Sequence, residues 1–135
     1  FEARFYLALL AAGEGAGAAA DGHETHEGRW ATPAALLAAW DREEVDLPPP
    51  TLCTLMRLAD ARRSALGGLP ADAVRDPILP KGNLERGPDG EPRIVVILPH
   101  DPGYEAAPGD GAPAPARALD LPPRLARVGK VWRPC

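Results

Sequence analysis

The sequence contains little cysteine, which argues against a disulfide-rich protein and against a cysteine-based zinc protein. Its 135 residues include two cysteines, Cys53 and Cys135. They form neither a disulfide framework nor a zinc motif. Cys53 falls in an apolar helical pattern, which predicts a buried and inert thiol. This cysteine usage agrees with a reducing compartment, so we expect a cytoplasmic protein.

An excess of positive charge and long apolar runs are also missing. Lys and Arg number 15 against 19 for Asp and Glu, giving a net charge of −4. Mild acidity provides no electrostatic footprint for nucleic acid or for an anionic membrane. The longest apolar runs, such as 7–12 and 94–98, are far too short to span a bilayer. We therefore expect neither nucleic acid nor a membrane as a partner.

The motifs of common hydrolases are lacking as well, although one stretch has the composition of a zinc protease site. That stretch is DGHETHEGRW, residues 21–30. A zinc protease site requires two histidines four positions apart on a helix, whereas His23 and His26 are three apart and lie between Gly22 and Gly28. No third ligand with metal spacing follows. We therefore interpret both histidines as solvated and predict that this chain alone holds no metal.

Two helices give the clearest local signals. Thr32 is a good N-cap, and Pro33 is tolerated at the first helical position because its missing N–H would have had no partner there. A second helix is predicted over 51–66, ended by Gly67. The apolar positions of the first helix are Leu36, Leu37 and Trp40, and those of the second are Leu52, Leu55, Met56, Ala59 and Leu66.

Strands are predicted in both halves of the chain. Arg4–Leu10 is interpreted as a buried strand, with a helix as the alternative for its Leu/Ala tail. Residues 13–22 are interpreted as a glycine-rich loop and His26–Trp30 as a short strand. In the second half the strongest strand signal is Arg93–Leu98, with Ile78–Leu84 as its hairpin partner across Gly87-Pro88-Asp89-Gly90.

The remainder of the second half is rich in proline. Residues 105–118 are of low complexity and are expected to be mobile, and 124–133 is predicted to form a last strand or hairpin. Between them, His100 to Tyr104 follows a strand end and allows two interpretations. The segment lines a pocket, or Asp101 closes a turn with Tyr104 packed beneath it; we favour the second.

Four stretches of the first half, read in order, resemble a known family. They are Arg4-Phe5-Tyr6-Leu7-Ala8, the segment 21–30 already quoted, Thr32-Pro33-Ala34-Ala35-Leu36, and Leu47-Pro48-Pro49-Pro50-Thr51-Leu52. Together they resemble the C-terminal half of a Nudix hydrolase domain, in the branch similar to peroxisomal coenzyme A diphosphatases. The chain departs from that pattern at Leu9, which stands where the family has a second Phe. Ala35-Leu36 also comes one residue early, and an extra proline precedes Thr51.

The catalytic box of that family is not found in these residues. The charged segment 41–46, DREEVD, matches its Arg-Glu pair, but Pro49 falls where the final glycine belongs and Ala34 where the upstream glutamate should be. We interpret 41–46 as a solvated helix end. Because the chain begins at Phe1 inside a predicted strand, we expect the box to precede it.

We expect a mixed α/β (α+β) fold in two parts. The resemblance implies that residues 1–69 form part of a Nudix-like α/β/α sandwich with strands and two helices. The family does not account for residues 70–135, which we expect to form a proline-rich β-hairpin extension, covering a sheet edge or forming a homodimer contact.

The resemblance also implies a function, with an alternative from another class. The intact protein would use Mg²⁺ or Mn²⁺ to cleave a diphosphate linkage in a coenzyme A or nucleoside diphosphate derivative. Glu24 would supply a loop carboxylate near the metal or the attacking water, and Trp30 would stack on the substrate; a surface acid and a core-packed ring are the respective alternatives. Without the box this chain would be inactive. The other hypothesis is a non-enzymatic interaction module derived from a Nudix scaffold.

Overall fold

The computed structural model describes most of the chain beyond residue 30. The described residues are 8, 10–17, 19, 22–23, 28, 30–60, 78–111 and 120–135. They belong to two compact units, Phe1–Thr32 and Pro33–Cys135. No helix in these ranges is long and apolar enough to cross a membrane.

The first unit contains a single-turn 3₁₀ helix, Glu14–Gly17, inside the predicted glycine-rich loop. The Glu14 carboxylate accepts a hydrogen bond from the Ala11 N–H at 2.6 Å, which closes the start of that turn. Of the predicted strand Arg4–Leu10, only Ala8 and Leu10 are described; neither is in a strand, and Leu10 is 55% exposed. The prediction of a buried strand is wrong at these two positions, where apolar residues do not alternate with polar ones as a half-buried strand requires.

Both predicted helices are present in the second unit. Helix α1 spans Pro33–Asp41, with the proline in the first helical position as predicted. Helix α2 spans Pro49–Asp60 and begins two residues earlier than predicted. Prolines fit there because the N–H groups of a first turn have no partner within the helix. The predicted end of this helix near residue 66 lies outside the described residues.

The second half of the chain forms a four-stranded antiparallel sheet in the order β1-β2-β3-β4. The strands are Lys81–Arg86, Pro92–Ile97, Arg124–Val128 and Val131–Pro134. The predicted β1–β2 hairpin is confirmed, with β1 shifted toward the turn relative to the predicted 78–84. Gly90 adopts a φ of 83° in that turn, and Gly129 a φ of 58° in the β3–β4 turn, a backbone region that favours glycine.

One core joins the helices to the sheet. Its buried members are Trp40, Leu47, Leu52, Cys53, Leu55, Leu98, Leu125 and Val131. The Trp40 indole N–H donates to the Trp132 carbonyl at 2.9 Å, and the Arg133 guanidinium lies 4.7 Å from the centre of the Trp40 ring. These contacts tie α1 to the last strand. The helices α1 and α2 therefore belong to the same unit as the sheet, Pro33–Cys135, because they bury their apolar sides against its strands. A boundary at residues 69 and 70 stays a prediction.

A second core lies on the alternate residues of the strands and is covered by residues 99–111, here termed the strap. Val95, Ile97 and Ala126 of the sheet pack against Tyr104, which is 1% exposed, with Ala107 beside it. Residues 105–111, predicted to be mobile, are therefore partly fixed by this packing. Residues 112–119 lie outside the described part of the chain. The overall class is mixed α and β.

Candidate functional site

The two residues predicted to touch substrate or metal belong to the first unit. Glu24 lies outside the described residues. Trp30 is 71% exposed, and its ring comes within 3.0 Å of where a Cβ on Gly15 would stand. The alternative in which Trp30 is buried in a core is therefore wrong, while substrate stacking stays a prediction. His23 is exposed, and His26 lies outside the described residues.

No metal centre is formed by the described residues. Among them, no group of three His, Cys, Asp or Glu side chains converges in a way that could hold an ion. The segment 41–46, which resembles part of a Nudix box in composition, lies at the end of α1. Its charged side chains face solvent, with an Arg42–Glu44 ion pair at 2.7 Å and an Asp41–Arg133 pair at 2.8 Å. The interpretation as a solvated helix end is confirmed.

A cluster of polar side chains is centred on Arg124, the first residue of β3. Its Nε and Nη2 donate to the two Asp101 oxygens at 2.7 and 3.0 Å, a bidentate pair with the strap. Its Nη1 donates to Glu85 on β1 at 3.1 Å. Glu85 in turn accepts from the Asn83 amide at 3.3 Å. These four residues, the Arg124 cluster, run from the strap across the sheet to its edge.

The backbone explains why the cluster forms. Asp101 accepts the Gly103 N–H at 2.7 Å, so the predicted turn closed by Asp101 is confirmed. That turn fixes the carboxylate above β3. On the sheet, Arg124 lies opposite Ile97, and Asn83 lies opposite Val95, so their side chains emerge on the strap-covered face.

The ion pair between Asp101 and Arg124 favours the charged form of both groups. The hydrogen bond from Arg124 is the main cause that lowers the pKa of Asp101, opposed by burial of the carboxylate and assisted by the Gly103 N–H. The hydrogen bond to Asp101 likewise raises the pKa of Arg124. Each charge has a partner of opposite sign, so the cluster is suited to holding the strap on the sheet rather than to proton transfer.

Lys81 provides a second link between the strap and the sheet. Only 7% of this residue is exposed, and its ammonium donates to the carbonyls of Tyr104 and Ala107, both at 3.0 Å. The ammonium also lies 4.7 Å from the centre of the Tyr104 ring. The Tyr104 hydroxyl donates to the Leu79 carbonyl at 2.6 Å. A buried lysine is therefore satisfied by carbonyl oxygens and an aromatic face.

The sequence predicted the Asp101 turn, but it did not predict the two residues of the sheet that bind the strap, Arg124 and Lys81. The spacing of Asp101, Gly103 and Tyr104 after a strand end is a local signal. The roles of Arg124 and Lys81 can be identified only when the strand pairing is known, because each lies more than twenty residues from its strap contact.

Comparisons with family models, with curated proteins and with solved structures found no match to this chain.

Proposed function

We propose that this chain is the C-terminal part of a Nudix-type hydrolase that cleaves a diphosphate linkage in a coenzyme A or nucleoside diphosphate derivative. The observation that carries the proposal is the position of the two helix starts. Pro33 opens α1 in the Thr-Pro-x-x-Leu stretch, and Pro49 opens α2 in the Leu-Pro-Pro-Pro-Thr stretch. Both helices then share one core. Paired helices at these motifs support a place in the later part of an α/β/α sandwich.

The metal ligands would come from the catalytic box, upstream of Phe1. The described residues do not fit a Mg²⁺ or Mn²⁺ ion, since no three ligating side chains converge among them. The chain alone is therefore expected to be inactive. In the intact enzyme Glu24 would approach the metal or the attacking water. The exposed Trp30 ring supports a role in stacking on the base of the substrate.

The coding sequence upstream of Phe1 gives the first test. We expect it to encode Gly-x5-Glu-x7-Arg-Glu-aliphatic-x-Glu-Glu-x-Gly in frame. The full-length protein should then release phosphate-containing products from coenzyme A or nucleoside diphosphate derivatives, only with Mg²⁺ or Mn²⁺ present. An upstream box without turnover on such a panel would refute the activity.

The second test separates the two predicted contacts. In the full-length enzyme, Trp30→Ala should raise KM more than it lowers kcat if the ring stacks on substrate, whereas Trp30→Phe should retain most of the binding. Glu24→Gln should lower kcat with little change in KM. Trp40→Phe, buried in the core, serves as a control for loss of folding.

The alternative function is a non-enzymatic interaction module, and one observation favours it. Leu84 and Ile94, opposite each other on β1 and β2, are 68% and 54% exposed. An in-frame start codon at or near Phe1, with no box, would support this module and exclude the enzyme. In either case a homodimer contact through the extension is a proposal that sedimentation velocity would test.

A further inference from the structure

Within the described residues, β1 is the first strand of the sheet, so no described strand pairs with its outer edge. The hydrogen bond from the Gly87 N–H to the Glu91 carbonyl, at 2.8 Å, fixes which residues face outward. In an antiparallel ladder, bonded and non-bonded pairs alternate. Lys81, Asn83 and Glu85 therefore bond to β2, and the N–H groups of the residues between them point away from the sheet. The bond from the Leu98 N–H to the Pro123 carbonyl agrees with this alternation on β2.

The central outward N–H is already occupied. The Leu84 N–H donates to Oδ1 of Asn83, its own neighbour, at 2.9 Å. The other end of the Asn83 amide donates to Glu85 at 3.3 Å, and Arg124 holds Glu85 at 3.1 Å. The Arg124 cluster therefore orients the amide, so that its oxygen faces the strand edge.

An apolar surface accompanies this edge. Leu84 is 68% exposed and Ile94, its partner in the register, is 54% exposed. An edge strand with exposed apolar side chains is a template for another strand, and natural proteins block such edges. The residues of β1 fit a second copy of themselves. In an antiparallel pairing centred on Leu84, the Asn83 amide would face Glu85 of the second copy, and Gly82 would leave space for Arg86.

We propose that Asn83 keeps β1 closed to a second copy of this chain. Its side-chain oxygen takes the N–H that the first inter-chain hydrogen bond would need. When this oxygen is removed, two copies pair edge to edge through Leu84, and their apolar surfaces become continuous. The proposal concerns the unit Pro33–Cys135 and does not depend on catalysis.

The test uses sedimentation velocity on the full chain over a range of concentrations. Asn83→Ala should lower the apparent dimer Kd by about tenfold relative to the unchanged chain, as expected for the release of one hydrogen-bonding group. Adding Leu84→Pro should return the dimer Kd at least to that of the unchanged chain. Proline removes the outward N–H, and position 84 donates no ladder bond to β2, so the hairpin is retained.

Two outcomes would overturn the proposal. They are an Asn83→Ala chain that associates no more tightly than the unchanged one, and tighter association that persists when Leu84→Pro is added. Amide exchange gives an independent measurement on the folded monomer. Exchange at Leu84 should accelerate roughly fivefold in Asn83→Ala relative to the unchanged chain. Equal exchange in the two chains would refute the role of Asn83.

Discussion

Replacing Arg124 with methionine tests whether the strap is held by its ion pair. The change removes the guanidinium and keeps an unbranched apolar side chain in its place. The Asp101 side chain is 5% exposed, so its carboxylate would be left buried without the bidentate partner at 2.7 and 3.0 Å. Removing one partner of a buried pair costs about 3–5 kcal/mol. Because the Arg124 side chain is itself 30% exposed, we expect the lower end of that range, about 3 kcal/mol.

Urea unfolding followed by far-UV circular dichroism measures this loss. With a slope of about 1.5 kcal/mol per molar urea, the midpoint should fall by about 2 M. Arg42→Met is the matched control, because the Arg42–Glu44 pair is 59% and 54% exposed, and its midpoint should not move. Arg124→Lys should give an intermediate midpoint, since lysine keeps the charge and loses the bidentate geometry. If Arg124→Met moves the midpoint no more than Arg42→Met, the strap is held without this ion pair and the ion-pair reasoning is wrong.

Three further predictions concern the strap and the cysteines. Tyr104→Phe removes the hydrogen bond to the Leu79 carbonyl and should cost about 1–2 kcal/mol in the same unfolding assay; an unchanged midpoint would contradict this. Because the pKa of Asp101 is lowered in the folded chain, its stabilising contribution is complete above the ordinary aspartate value of about 3.9 and is lost as the pH falls through the folded value. Asp101→Asn should therefore reduce the pH dependence of stability below about pH 4, and an unaltered profile would refute the assignment. Burial raises the pKa of the Cys53 thiol to about 11, so iodoacetamide at pH 8 should label the exposed Cys135 first, and Cys53 only after unfolding; mass spectrometry of the native chain would detect the opposite order.

The helices and hairpins could be predicted because their signals are local. Thr32-Pro33 defines a helix start through two neighbouring residues. Gly87 to Gly90 defines a turn through backbone conformations that glycine adopts without strain. The Asp101 turn belongs to the same group, since its carboxylate binds an N–H two residues away. Each of these signals depends on residues a few positions apart, and each was confirmed.

The contacts that organise the unit could not be predicted, because they join distant segments. Lys81 gives no pattern of its own, and its burial depends on carbonyl groups of the strap more than twenty residues later. The packing of the helices on the sheet likewise joins distant residues, since Leu52 shares a core with Leu98 and Leu125. The local composition of a segment indicates its flexibility and solubility, but it does not predict which apolar surfaces pack against each other.

The contact between Trp40 and Trp132 has a consequence for biosynthesis. These residues are 92 positions apart, so α1 leaves the ribosome long before the strand that accepts its indole N–H. At about 5–20 residues per second, the delay is roughly 5–20 s. During that time Trp40 and the apolar side of α2 lack the sheet that buries them. The nascent helices would then be substrates for chaperones and proteases. A ribosome stalled before β4 would carry a chain in which the apolar side chains of α1 and α2 are still exposed.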